Sequence, residues 1–172
     1  MQMPLTTVYL LLSSNDEPMT NLDAALRQLR EHVIPLAVSS PYLTEARGET
    51  AGGGDYVNMA LKCRTTRAPQ EFKLNVLRPI EAALGRQRDT PGARSRVPID
   101  LDILLWGDTP LEYGAKPWRS PSPEILRYAY AAVPLAEIAP GVRHPETGET
   151  IEAIAARLGT TGIRRLQNPS GL

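Results

Sequence analysis

The feature that most constrains the fold is a short run with two carboxylates among aliphatic residues, IDLDILL, from Ile99 to Leu105. Asp100 and Asp102 are two positions apart, so in a strand their side chains project from one face, while Leu101 and Ile103 project from the other. Such a strand fits an antiparallel sheet that buries one face and leaves the other polar. One explanation, the less favoured of the two, is a solvated polar face on a one-sided sheet; the other is a site that uses both carboxylates.

Strand and helix periodicities alternate along the chain up to this strand. Strands are predicted at residues 6–14, 35–46, 56–65 and from about 99, and helices at residues 18–33 and 68–86. Pro41 should interrupt the second strand, and Pro79 should kink the second helix. The βαββαβ order predicts an α+β, ferredoxin-like fold, in which an antiparallel sheet carries both helices on one face. We expect the first and last of these strands to be neighbours.

The C-terminal part reads as a small appendage to this motif. Pro-rich chain follows the last strand, and short helical segments are predicted at residues 124–140 and 149–158. We interpret residues 1–172 as a single domain.

Composition narrows the functional classes. The chain has 172 residues, 42% of them hydrophobic, and 19 basic residues balance 19 acidic ones, which argues against binding to nucleic acid or to an anionic membrane. Cys63 is the single cysteine, which excludes an internal disulfide and a cysteine-based zinc site. The first residues lack the features of a signal peptide, and no apolar run is long enough to span a membrane. We expect a soluble, cytoplasmic protein, with a monomer favoured and an oligomer left open.

The carboxylate pair needs a cation. Two neighbouring carboxylates repel each other, and each is driven towards protonation unless a positive charge neutralises it. Mg²⁺ suits such a pair, because it binds a few carboxylates together with water and phosphate oxygens. Four arginines precede the pair: Arg86, Arg88, Arg94 and Arg96. Arginine binds phosphate through a bidentate fork, so the sequence indicates a polyphosphate site beside the carboxylates.

Five segments, in this order and spacing, carry a family resemblance. They are SSN at Ser13–Asn15, DYVN at Asp55–Asn58, IEAALGRQR at Ile80–Arg88, DLDILLWGD at Asp100–Asp108 and PLAEIAP at Pro134–Pro140. Together they resemble the 6-hydroxymethyl-7,8-dihydropterin pyrophosphokinases, folate-pathway enzymes that move a diphosphate from ATP to a pterin alcohol. The resemblance covers nearly the whole chain, from about Val8 to Glu152.

The resemblance implies a role for each matching residue. Asp100 and Asp102 would hold two Mg²⁺ ions that bridge the phosphates of ATP, and Arg86 and Arg96 would join them in catalysis. The nucleotide side would be lined by Glu81, Arg86, Arg88 and Ile103, the last through its backbone.

On the pterin side, the resemblance implies that Asn58 hydrogen-bonds the ring, with Thr44 and Tyr56 in the same pocket. Tyr130 stands where the family has a stacking aromatic, although a half-buried core tyrosine is an equal alternative.

The chain departs from the family pattern around the arginines. Three residues separate Arg96 from Asp100 where the family has two, and in a strand a shift of one residue turns a side chain to the other face. Pro98 has no N–H for a strand ladder, so we expect Arg96 to lie in loop chain that can absorb the extra residue, with Arg94 as a second candidate. Ser122 stands where the family usually has histidine.

These departures leave three functions open. The first is an active diphosphokinase that uses ATP and Mg²⁺. The second is a paralogue that binds a pterin or a nucleotide with weak or altered catalysis. The third is a non-enzymatic binding module, whose apparent site is a solvated strand face.

Overall fold

The computed structural model describes residues 3–45, 54–93, 95–116 and 118–167. Within them the strands are β1 (Thr6–Ser14), β2 (Ile34–Val38), β3 (Tyr42–Thr44), β4 (Tyr56–Thr65), β5 (Asp100–Trp106), β6 (Leu111–Tyr113), β7 (Trp118–Ser120) and β8 (Ile163–Arg165). The α-helices are α1 (Pro18–Leu29), α2 (Pro69–Phe72), α3 (Arg78–Ala83), α4 (Glu124–Arg127), α5 (Ala129–Ile138) and α6 (Ile151–Leu158), and a π-helical turn, Lys73–Leu77, joins α2 to α3. None of the helices in these ranges is long and apolar enough to cross a membrane.

The main sheet is antiparallel, with strand order β5-β1-β4-β3-β8, and β2 pairs with β4 beyond the end of β3. The strand predicted at residues 35–46 is thus split into β2 and β3 around Pro41, as expected. The first and last strands of the predicted motif, β1 and β5, lie side by side. A separate hairpin, β6-β7, follows β5.

One face of the sheet packs against the two helical segments of the predicted motif. Helix α1 buries Leu22, Ala25, Leu26 and Leu29, which have the spacing of one helix face. These side chains join a core with alternate residues of β1 and with the α2–α3 segment, including Val8, Leu10, Leu12, Phe72, Val76 and Ile80.

The opposite face is also covered by helices, so the prediction of helices on one face holds for the two segments of the motif and is wrong for the C-terminal part. Helices α5 and α6 form a second core with Tyr9, Leu11 and Leu105. The sequence of β1 indicated this second layer. Its continuous apolar run from Val8 to Leu12 is buried throughout, as expected for a strand with apolar neighbours on both faces. The C-terminal part therefore builds a second, smaller core rather than a plain appendage, and its strand β8 also extends the sheet.

The second helical segment is interrupted rather than simply kinked. The Arg78 N–H donates to the Lys73 carbonyl, five residues earlier, which closes a π-helical turn directly before Pro79. A proline ring clashes with the carbonyl four residues before it in a regular α-helix, and the wider turn relieves that clash.

Candidate active site

The aspartate pair lies on the sheet face that α5 and α6 cover, at the end they leave open. Asp100 is paired with Ser13 and Asp102 with Leu11 across the β1–β5 ladder. Leu101, between them, points into the core on the other side of the sheet. The alternation read from the sequence therefore positions both carboxylates on one face.

Two cavities meet at this pair. The larger, of about 560 Å³, and the smaller, of about 270 Å³, share Asp100, Asp102 and Glu124 in their walls. A molecule in one cavity would therefore be separated from a molecule in the other by little more than these carboxylates.

The shared wall carries an excess of negative charge. The pKa of Asp102 is raised well above its usual value, first by burial and then by Asp100, while Lys73 opposes the shift. Burial likewise raises the pKa of Glu124, although a hydrogen bond from Tyr130 opposes this. Within the described ranges no group of three or more His, Cys, Asp and Glu side chains is arranged as a metal site, so a cation here would rely on the two aspartates and on other ligands.

A fixed amide forms the polar part of the larger cavity. The Ser13 hydroxyl donates to Asn58 Oδ1 at 2.6 Å, and Asn58 Nδ2 donates to Thr44 Oγ1 at 3.0 Å. Asn58 itself is 2% exposed. Neighbours on β1 and β3 therefore hold the amide in one orientation, and each amide atom keeps further hydrogen-bonding capacity.

Aromatic side chains form much of the remaining wall of the larger cavity. The rings of Tyr128 and Tyr130 are stacked, with centroids 5.1 Å apart and planes inclined by 10°. The Tyr130 hydroxyl donates to Glu124 Oε1 at 3.2 Å, and burial raises the pKa of this tyrosine. Tyr56 lines the same cavity, and so does Ile163 of β8. A flat, polar heterocycle matches this combination of stacking surface and amide.

The smaller cavity is rich in cations. Its walls include the side chains of Lys73, Arg78, Arg88 and Arg119. Two aromatic rings lie beside them: Tyr113 and Trp118, with centroids 5.8 Å apart, and the Arg78 guanidinium stands 6.0 Å from the Trp118 ring. Positive side chains around an aromatic surface suit a nucleoside polyphosphate.

Comparison with known proteins identifies the family. The family model described as 7,8-dihydro-6-hydroxymethylpterin-pyrophosphokinase (HPPK) matches residues 9–140. The chain belongs to the HPPK family. This confirms the resemblance inferred from the five sequence segments.

Curated relatives of the HPPK family match over most of their length. A 2-amino-4-hydroxy-6-hydroxymethyldihydropteridine pyrophosphokinase of Aquifex aeolicus is 33% identical over 143 residues, which cover 82% of this chain and 85% of the relative. Its namesake in Pseudomonas aeruginosa is 34% identical over 164 residues, which cover 92% of this chain and 96% of the relative.

Solved structures share the fold at low identity. A crystal structure of Plasmodium falciparum HPPK-DHPS with pterin and p-hydroxybenzoate matches with a TM-score of 0.74 and 11% identity. The match covers 94% of this chain and 47% of the other, so the chain spans about half the length of that protein. At this identity the likeness concerns the fold.

Most of the residues assigned from the family resemblance lie together around the two cavities. Thr44, Tyr56, Asn58 and Tyr130 line the larger cavity, Arg88 and Ile103 line the smaller, and Asp100 and Asp102 line both. Ser122, which stands in the usual histidine position, also borders the smaller cavity.

Glu81 and Arg86 stand behind the cavity walls. Glu81 is 1% exposed and forms an ion pair with Arg88, and burial and Asp100 raise its pKa. Arg86 Nη1 lies 3.5 Å from the Ile99 carbonyl oxygen, and its buried Nε has no hydrogen-bond partner among the described residues. Neither side chain is among those that line the two cavities.

Arg96 is turned away from both cavities. Its Nε donates to Asp16 Oδ2 at 2.8 Å, and its side chain is 77% exposed. Arg94, the second candidate, lies outside the described residues.

Sequence reasoning missed several residues of the site. Lys73, Glu124 and Arg119 were not assigned, and neither was the β8 segment that walls the larger cavity. In the structure, Lys73, Leu77 and Glu81 are spaced by four residues and all three are buried, so two ionisable side chains share a buried helical row. Their burial, which marks a site rather than a plain core, is not visible in the sequence.

Proposed function

We propose that this protein transfers the diphosphate of ATP to 6-hydroxymethyl-7,8-dihydropterin, the reaction that its family name describes. The observation that carries the proposal is the pair of adjoining cavities with Asp100 and Asp102 in their common wall. One cavity suits a flat heterocycle, the other suits a polyphosphate, and the carboxylates lie where the two substrates would meet.

We infer that the pterin occupies the larger cavity. The Asn58 amide, held by Ser13 and Thr44, supports recognition of the ring's donors and acceptors. Tyr56 and Tyr130 offer aromatic surface on which the ring can stack.

We infer that ATP occupies the smaller cavity, with its phosphates towards the aspartates. Arg88 would bind phosphate there, and Glu81 would hold its guanidinium in place. Arg86 would add charge from behind the wall, and Ile103 would contact the adenine through its backbone.

The residues present fit Mg²⁺. Asp100 and Asp102 project to one face, and their mutual repulsion contributes to the raised pKa of Asp102, a condition that a divalent cation relieves. Mg²⁺ commonly takes one or two carboxylates and completes its shell with water and phosphate oxygens. When bound, it would neutralise negative charge on the phosphates and polarise their oxygens.

The protein's task in the reaction is to align the substrates. The hydroxymethyl oxygen of the pterin forms a bond to the β-phosphorus of ATP, the bond from that phosphorus to the α–β bridging oxygen breaks, and AMP leaves. The hydroxyl proton is released, so atoms and charge balance without a covalent enzyme intermediate. Holding the two substrates in line, and placing cations around the phosphates, supplies the catalysis.

We also infer the ferredoxin-like topology, the small-molecule partners, the cytoplasmic location and the monomeric state predicted from the sequence. The order β5-β1-β4-β2 of the first four long strands supports a ferredoxin-like core. The zero net charge supports small-molecule substrates rather than nucleic acid or membrane partners, and a cytoplasmic, monomeric protein is consistent with this.

Incubation of the purified protein with ATP, Mg²⁺ and the hydroxymethyl pterin tests the proposal. We expect AMP and the pterin diphosphate in equal amounts, no AMP when the pterin is omitted, and none when the metal is chelated. Pterin methyl analogues without the hydroxyl serve as the matched control, because they can bind without reacting.

The position of Arg96 favours one alternative, a paralogue with weak or altered catalysis. In the ligand-free protein its side chain pairs with Asp16 and lines neither cavity, so a candidate catalytic cation is not in place. Tight binding of both substrates without AMP formation would support that alternative over the kinase.

A further inference from the structure

Lys73 is a buried cation directly beside the aspartate pair. Its Nζ donates to the carbonyl oxygen of Leu101, the residue between the two aspartates, at 3.0 Å, and lies 3.6 Å from Asp102 Oδ1. The residue is 5% exposed. Lysine is almost never buried to this extent without a partner, so the surroundings are built to hold a positive charge.

The π-helical turn brings this lysine into the site. Lys73 is the first residue of the turn, and the turn ends directly before Arg78 and Pro79. Isolated π turns inside helices recur at functional sites, because they change which side chains face inward. Here the side chain that faces inward is an ammonium in a wall of the smaller cavity.

The other cations of the smaller cavity have different ion-pair or ring partners from Lys73. Arg88 is paired with Glu81, and Arg119 is paired with Glu146 at 2.6 Å and is 45% exposed. Among the four cations that the structure describes around this cavity, Lys73 is the one within ion-pair distance of an aspartate of the pair.

We propose that Lys73 is a catalytic residue that contacts the phosphates during diphosphate transfer. The proposal rests on the function proposed above. One N–H of the ammonium is taken by the Leu101 carbonyl and a second faces Asp102, which leaves one to donate to a phosphate oxygen. As the β-phosphorus bond to AMP breaks and the bond to the pterin oxygen forms, negative charge shifts over the phosphate oxygens. A cation already fixed in place stabilises that charge without reorganisation.

Steady-state and single-turnover kinetics of Lys73→Met test the assignment. Methionine is unbranched and one atom shorter than lysine, so it keeps most of the side chain's volume and removes the charge. We expect kcat for AMP formation to fall by about 100-fold, the scale of losing one preorganised group, while KM for ATP rises by less than about 5-fold. Lys73→Arg should recover part of kcat, because it restores a fixed positive charge.

Lys62→Met is the matched control. Lys62 lies on β4, with its Nζ 6.0 Å from the centre of the Tyr9 ring, and lines neither cavity. Its kcat should equal that of the unchanged protein. Circular dichroism and the fraction of active sites, titrated in a single turnover, establish that each variant is folded. Lys73→Gln, which keeps a hydrogen-bond donor, replaces the methionine variant where that variant does not fold.

The outcomes separate the two proposals. If the unchanged protein forms AMP and folded Lys73→Met keeps kcat within about 3-fold, the role of Lys73 is wrong and the proposed function stands. A structural role would lower the melting temperature and the active fraction, yet leave kcat per folded molecule intact. If the unchanged protein forms no AMP, the proposed function and the role of Lys73 both fall.

Discussion

Replacing either aspartate of the pair by asparagine should raise the stability of the ligand-free protein. Asp100→Asn removes a repulsion and keeps the ion pair between Lys73 and Asp102. Asp102→Asn removes the same repulsion and the cost of burying a charge, and it loses the ion pair with Lys73. Burial and Asp100 raise the pKa of Asp102 more than Lys73 lowers it, so the net effect of removing this charge is stabilising.

The magnitudes follow from the geometry. The Asp100 and Asp102 carboxyls are close enough to hydrogen-bond, which corresponds to about 3 Å, and at an effective dielectric constant of about 20 two like charges at that distance repel by about 5 kcal/mol. The 3.6 Å pair between Lys73 and Asp102 attracts by about 5 kcal/mol on the same scale. Because the Asp102 side chain is 35% exposed, solvent reduces each figure to about 1 kcal/mol. At Asp102 the two nearly cancel, which leaves the cost of burying the charge, about 1 kcal/mol.

We therefore expect Asp100→Asn and Asp102→Asn each to raise the free energy of unfolding by about 1 kcal/mol. For a chain of this length that raises the melting temperature by about 2–4 °C. The assay is thermal and urea denaturation at pH 8 without Mg²⁺, with Asp108→Asn, an exposed aspartate after β5, as control. A lower stability of Asp102→Asn than of the unchanged protein would refute the reasoning.

Three further predictions concern the remaining site residues. Asn58→Ala removes the hydrogen bonds of 2.6 Å and 3.0 Å to Ser13 and Thr44, so the free energy of unfolding, measured in urea, should fall by about 2 kcal/mol. Calorimetry should show weaker pterin binding. Arg96→Ala should slow AMP formation by more than about 10-fold with a smaller effect on ATP affinity, and Arg96→Lys should rescue only part, because the bidentate fork is lost; full turnover in Arg96→Ala would end this assignment. The pKa of Asp102 is raised in the folded protein, which therefore binds the proton more tightly than the unfolded chain does. In the absence of metal, the free energy of unfolding should fall as the pH rises from 3.8 through this raised pKa. Urea denaturation of the ligand-free protein and of Asp102→Asn from pH 4 to 8 checks this. A free energy of unfolding that rises with pH more in the unchanged protein than in the variant would contradict it.

Elements with simple periodicity were predicted correctly from the sequence. Period-two alternation positioned Asp100 and Asp102 on one face of β5, and period-3.6 spacing identified the buried face of α1. Family resemblance then selected Asn58 and Tyr130, which do line one cavity.

The second core, which the C-terminal helices build, was not predictable in the same way. Helix α5, with sequence AYAAVPLAEI, has small and apolar residues nearly all around and a proline inside, so no single face stands out. That it covers Tyr9 and Leu11 depends on contacts between distant parts of the chain. The continuous apolar run in β1 was the available signal that a second layer had to exist.

Lys73 escaped prediction for a different reason. The segment was assumed to be a regular α-helix, in which each inward position follows from the 3.6-residue period. Pro79 was recognised as a disturbance, but a kink and a π turn both accommodate a proline, and the two place the preceding side chains differently. The choice between them rests on tertiary packing.

The position of the Arg96 side chain in the ligand-free protein is compatible with the catalytic role predicted for it. Around it the backbone is tied to the end of β1, because the Val97 N–H donates to Asn15 Oδ1 at 2.6 Å and Asn15 Nδ2 donates to the Ser95 carbonyl at 2.8 Å. The Arg96 side chain itself is held by one exposed ion pair to Asp16, and such pairs contribute about 0–1 kcal/mol. Charge developing on a phosphate in a cavity from which water is excluded attracts a guanidinium more strongly than an exposed carboxylate does. The anchored backbone is thus compatible with an extra residue before Asp100, while the side chain stays free to exchange one anion for another.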